Sequence, residues 1–115
     1  MNKKMIVSLL ALMFLLVSTA LCFAEGPNGN KRKGKYTYRK VYKACAARGE
    51  VDSKKPHISP SDKTMAQWER IFDTRDFSEF KCGQEWGALT DEETQDIYAY
   101  LYGYAADSPS PATCK

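Results

Sequence analysis

The chain is 115 residues long, with 43% hydrophobic residues, 27% charged residues and a formal net charge of +3. This length allows one small domain, which excludes a multi-domain protein and a large enzyme. The small positive surplus also argues against bulk binding of nucleic acid, which needs a much larger excess of cations.

Residues 1–24 have the pattern of a secretory signal peptide. Lys3 and Lys4 precede an almost wholly apolar run that ends at the small residue Ala24. Cleavage there would remove two positive charges and leave a periplasmic or secreted chain that does not contact the membrane. Retention of the apolar run as a membrane anchor is the alternative interpretation, because the run is long enough to span a bilayer.

A basic segment follows the signal. Residues 25–35 are rich in Gly, Asn and Lys, which predicts a flexible leader ahead of a domain at 36–106 and a tail at 107–115. Between positions 31 and 43 the chain has seven cations and no acid. This pattern favours either a solvated basic surface or a docking surface for an acidic redox partner protein. The seven are Lys31, Arg32, Lys33, Lys35, Arg39, Lys40 and Lys43.

Apolar residues at helical spacing predict the first two helices. Tyr38, Val41, Tyr42 and Cys45 form one stripe of a helix that we expect to begin at Thr37 and end near Arg48. Residues 51–60 hold two prolines and are predicted to be a loop. A second helix is expected to begin at Ser61, with Met65, Trp68 and Phe72 on its buried side.

The remaining pattern predicts a short helical segment and then a long helix. Residues 77–89 are interrupted by two glycines and are expected to form only one or two helical turns. Thr90 and Glu93 have the spacing of a capping box, with Ile97, Leu101 and Tyr104 on one stripe after it. The chain is therefore predicted to be all-α, a small domain of three main helices plus a short extra helix.

Residues 34–106 resemble a class I, single-haem cytochrome c. The segment 38–45 is an amphipathic helix that ends in Cys45, and in this family such a helix leads into the haem attachment motif. The segment 89–101 resembles the C-terminal helix of the family in spacing and residue type. The resemblance implies a cytochrome-c-like fold in which the first and last helices cross.

The haem attachment motif itself is degenerate. Covalent attachment requires C-x-x-C-H, whereas this chain has Arg48 at the second thiol position and Gly49 at the position of the axial His. Only Cys45 matches, so we expect its haem-thiol position to be unused and no cofactor to be bound. The seven tyrosines are expected to fill the space of the haem, with a tyrosine-rich partner surface as the alternative.

Other sites have weaker support. His57 is the only histidine and lies on a proline-flanked loop, so it is a weak candidate for a haem ligand, with Met65 opposite. Three cysteines and one His without a paired short spacing do not indicate a zinc site. The sequence also lacks the motifs of common hydrolases and phosphate-binding loops, so we expect no metal site, no catalytic residues and no enzyme.

Three cysteines follow the signal, and an exported chain meets an oxidising compartment. We expect Cys82 and Cys114 to form a disulfide that ties the tail to the start of the last helix. Cys45 would then remain a free thiol in the core, since it lies on an apolar stripe. A Cys45–Cys82 bond is the competing possibility.

The sequence thus predicts an exported, haem-free binding or accessory module in periplasmic electron transfer. The alternative is an electron-transfer cytochrome with unorthodox haem ligation.

Overall fold

The computed structural model describes residues 27–112, which fold as a small all-α domain, as predicted. The α-helices are α1 (Lys31–Ala47), α2 (Met65–Thr74), α3 (Gly83–Gly87) and α4 (Asp91–Gly103), and 3-10 turns lie at Pro60–Asp62 and Ser78–Phe80. Three main helices and one short helix are therefore confirmed. Within residues 27–112 no helix combines the length and apolarity needed to cross a bilayer. The signal peptide and Cys114 lie outside the described residues.

Helix α1 begins six residues earlier than predicted. The side chain of Asn30 caps it by accepting a hydrogen bond from the Lys33 backbone N–H at 3.0 Å. The backbone N–H of Asn30 in turn donates to the buried Asp96 carboxylate at 2.7 Å. Placing Lys31–Lys35 in a flexible leader was therefore wrong, because a cap and a contact with α4 order this segment.

Helix α2 begins later than predicted. Ser61 lies in the Pro60–Asp62 turn, where Ser59 and Asp62 form their own capping box. Thr64 caps α2 and forms a reciprocal pair with Gln67. Ser61 is therefore not the cap of α2, and the prolines and polar residues before Thr64 form a separate turn.

Helix α4 has the predicted capping box. The Thr90 side chain accepts from the Glu93 backbone N–H, and the Glu93 side chain accepts from the Thr90 backbone N–H. Beyond the helix the tail folds back, since the backbone N–H of Ala112 donates to the carbonyl of Tyr104 at 3.0 Å.

The fold is organised around the pairing of α1 with α4. Gly34 lies where the two backbones come closest, since a Cβ atom at this position would be 1.8 Å from the carbonyl oxygen of Asp96. Glycine is required here because no side chain fits between the helices. Helices α2 and α3 pack against this pair, and one core joins all four helices.

Candidate functional site

Cys45 is bonded to Cys82 in the core. Their Cα atoms are 5.6 Å apart, and both side chains are fully buried. The predicted Cys82–Cys114 bond and the free Cys45 thiol were therefore wrong, because the fold brings the end of α1 against the start of α3. Since the Cys45 sulfur is in a disulfide, it is available neither for a thioether bond nor as a nucleophile.

Arg48 and Gly49, the residues compared above with the haem motif, have structural roles. The Arg48 guanidinium donates to both carboxylate oxygens of Glu85, each at 2.8 Å, and to Glu50 at 2.7 Å. Gly49 has φ of +86°, in the left-handed region, which favours glycine at the turn after α1. A thiol at position 48 would lose the ion pairs of Arg48, and an imidazole at position 49 would have to adopt a left-handed φ, so the residues present do not fit covalent haem.

Glu50 lies beside the disulfide, and it shares the Arg48 guanidinium with Glu85. Hydrogen bonds from Arg48 lower the pKa of both carboxyl groups, and the backbone N–H of Cys82, which donates to Glu50, lowers the Glu50 pKa further. The two sulfurs and a Glu50 oxygen lie within 4.8 Å of one another, a spacing that could hold a metal ion. The disulfide removes the thiolates that such a site would need.

Aromatic side chains fill the core beside the disulfide. The Phe80 ring stacks on Trp86 at 4.5 Å and on Trp68 at 5.9 Å between centroids. The Tyr42 hydroxyl donates to the Phe80 carbonyl at 2.8 Å, and the Tyr38 hydroxyl donates to the Ile58 carbonyl at 2.7 Å. Burial raises the pKa of both phenols, that of Tyr42 to about 12. The chain's own side chains pack this region, and within the described residues the Nε1 of Trp86 is the buried side-chain polar atom that lacks a hydrogen-bond partner.

His57 lies at the surface of the loop after α1. Its Nε2 atom is 3.1 Å from the Glu79 carbonyl oxygen, and its ring meets the Tyr42 ring edge to face at 5.5 Å. Met65, the proposed opposite ligand, is the first residue of α2 and packs against the core. One ring nitrogen of His57 is therefore already occupied by a backbone contact.

The structure separates the seven cations of the basic segment into two faces. Lys31, Lys35, Arg39 and Lys43 are four residues apart and form one row along α1, which we call the groove row. Arg32, Lys33 and Lys40, which we call the opposite face, line depressions shared with Glu85, Glu92, Glu93 and Asp96. The depressions beside the groove row have no Asp or Glu among their lining residues, and the Asp62 carboxylate, which accepts from the Ser59 backbone N–H, lies next to them.

Lys35, Arg39 and Lys43 of the groove row line two open depressions that share Arg39, Ser59, Pro60 and Tyr100. Their volumes are about 630 and 590 Å³. We call the combined surface the basic groove. Its cationic residues are Lys35, Arg39, Lys43, Lys54 and Lys55, and no Asp or Glu is among the residues that line the two depressions.

Tyr100 of α4 and Tyr104, the residue that caps the end of α4, form the aromatic part of the basic groove. The rings of Tyr100 and Tyr104 are 5.6 Å apart, and the Lys31 ammonium lies 5.8 Å from the centre of the Tyr104 ring. Burial raises the pKa of Tyr100, and the charge of Arg39 opposes this shift. Arg39 and Tyr100 both line the two depressions, so one ligand can contact both side chains.

Sequence reasoning did not assign Lys54 and Lys55 to this site. The four-residue spacing of the groove row was visible in the sequence, but the loop that completes the groove carries no periodic pattern. Comparison of the chain with protein-family models, curated proteins and solved structures gives no match.

Proposed function

We propose that this chain is a haem-free binding or accessory module, related in fold to cytochrome c, that serves extracytoplasmic electron transfer. The observation that carries the proposal is the Cys45–Cys82 disulfide. It occupies the one thiol that matches the haem motif, while Arg48 and Gly49 form a turn that replaces the rest of the motif. The domain is thereby stabilised by its own covalent bond and aromatic core.

The proposed location is periplasmic or secreted. A buried disulfide is typical of proteins that fold in an oxidising compartment, and the signal-like sequence at 1–24 agrees with export. A small domain gains substantially from such a bond because its hydrophobic core is limited.

The proposed partner is an acidic redox protein. Among residues 27–112 the ion pairs involve Arg48, Lys63 and Arg75, so the seven cations of the basic segment are available to an external partner. Complementary charge of this kind accelerates association and orients the two proteins. We propose neither a nucleic-acid ligand nor catalysis.

The test is expression in a strain that matures c-type cytochromes. We expect the purified chain to show no Soret band and a mass equal to the polypeptide with one disulfide. The control is a c-type cytochrome with an intact C-x-x-C-H motif, expressed in the same strain, which reports whether the strain attaches haem. A Soret band corresponding to one haem per unmodified chain would refute the proposal and support unorthodox haem ligation.

A further inference from the structure

The basic groove is suited to an elongated ligand. The groove row extends from Lys31 to Lys43, a distance of about 18 Å along the helix at 1.5 Å per residue. Lys54 and Lys55 add cations from the loop after α1. Six residues of extended peptide cover about 20 Å, so a segment of this length can contact the whole row.

The chemistry of the groove indicates what the ligand must carry. All cations of the groove row are exposed and, within the described residues, none forms an ion pair. Arg39 lies where the two depressions join, and its planar guanidinium can bind a carboxylate through two parallel hydrogen bonds. Tyr100 and Tyr104 provide aromatic contact area between the charges.

We propose that the basic groove binds an extended acidic segment, about six residues long, of the partner protein. The inference rests on the proposed function, because that function supplies the acidic partner, and it locates the contact on one face of α1. The surface is recessed, which favours binding of a single extended chain over contact with a flat membrane. No acid lines the two depressions, so carboxylates of the ligand can be accommodated along the whole groove. The opposite face of α1 is not part of the contact.

The experiment uses the purified, disulfide-bonded chain and an acetylated, amidated hexaglutamate as the probe. The groove variant combines Lys35→Gln, Arg39→Gln and Lys43→Gln. The control variant combines Arg32→Gln, Lys33→Gln and Lys40→Gln. Both variants remove three exposed charges from the same helix, so their net charge and long-range electrostatic attraction are matched.

We expect the groove variant to bind hexaglutamate about tenfold more weakly than the unmodified chain, the effect of losing three exposed ion pairs together. The control variant should change the dissociation constant less than about twofold, since its cations lie beside acids. Affinity should fall with added salt. Addition of the peptide to the unmodified chain should change the NMR chemical shifts of Tyr100 and Tyr104. Because this measurement needs no variant, it tests the site even if a variant folds poorly.

Three outcomes would overturn the inference. Equal weakening in both variants would mean diffuse attraction without a groove. Absence of hexaglutamate binding at low salt would remove the site. Tighter binding of a sulfated hexasaccharide or an anionic lipid vesicle than of the peptide would assign the groove to another class of ligand. The haem spectrum tests the proposed function separately, so haem attachment with intact peptide binding would refute that function and retain the groove.

Discussion

Replacing Gly34 with Ala is expected to destabilise the domain because it separates α1 from α4. A Cβ atom at position 34 would lie 1.8 Å from the carbonyl oxygen of Asp96, whereas ordinary van der Waals contact begins near 3.4 Å. The helices would have to move apart by roughly 1.5 Å, which also strains the hydrogen bond from the Asn30 backbone to Asp96.

The magnitude is the balance of two effects. Ala is favoured over Gly in a helix interior by about 1 kcal/mol. Overpacking costs typically 1–3 kcal/mol, and because a backbone carbonyl is struck we take the upper end, which leaves a net loss of about 2 kcal/mol. For a domain of this size that loss lowers Tm by roughly 8–16 °C.

Urea unfolding followed by the fluorescence of Trp68 and Trp86 measures this change, because both side chains are buried. The matched control is Gly83→Ala in α3, where a Cβ atom would meet nothing within 4 Å. We expect this variant to be as stable as the unmodified chain or slightly more stable. If Gly34→Ala unfolded at the same urea concentration as the unmodified chain, the close approach of α1 and α4 would be refuted.

Three further predictions concern the disulfide, the core and the loss of folding stability at acidic pH. Reducing Cys45–Cys82, which closes a loop with a sequence separation of 37, should cost about 4 kcal/mol of unfolding free energy, and non-reducing peptide mapping should recover that pair. Leu101→Ala should cost about 2–5 kcal/mol in the same urea assay because Leu101 is fully buried, and an unchanged midpoint would refute the packing. Arg48 lowers the pKa of Glu50 and Glu85, so the two carboxylates stabilise the folded state. This contribution to the free energy of unfolding is complete above the ordinary pKa of Glu and is lost as the pH falls below it. Arg48→Gln should therefore reduce the loss of stability between about pH 5 and pH 3, and an identical pH profile would exclude this coupling.

The helices were predictable where their determinants are local. The Thr90–Glu93 capping box and the apolar stripe after it correctly placed α4, because each depends on residues three or four positions apart. The spacing of the cations on α1 likewise followed from helical geometry. The start of α1 was missed because a contact with Asp96, 66 residues away, helps to order it.

The candidate site depended more strongly on tertiary structure. The sequence determined that the chain has no C-x-x-C-H motif, because covalent haem attachment requires particular residues at fixed spacing. The disulfide partner of Cys45 was decided by the distance between α1 and α3, which no local pattern encodes. The basic groove also arises only in the folded chain, since it combines one face of α1, the loop around Lys54 and two tyrosines at the C-terminal end of α4.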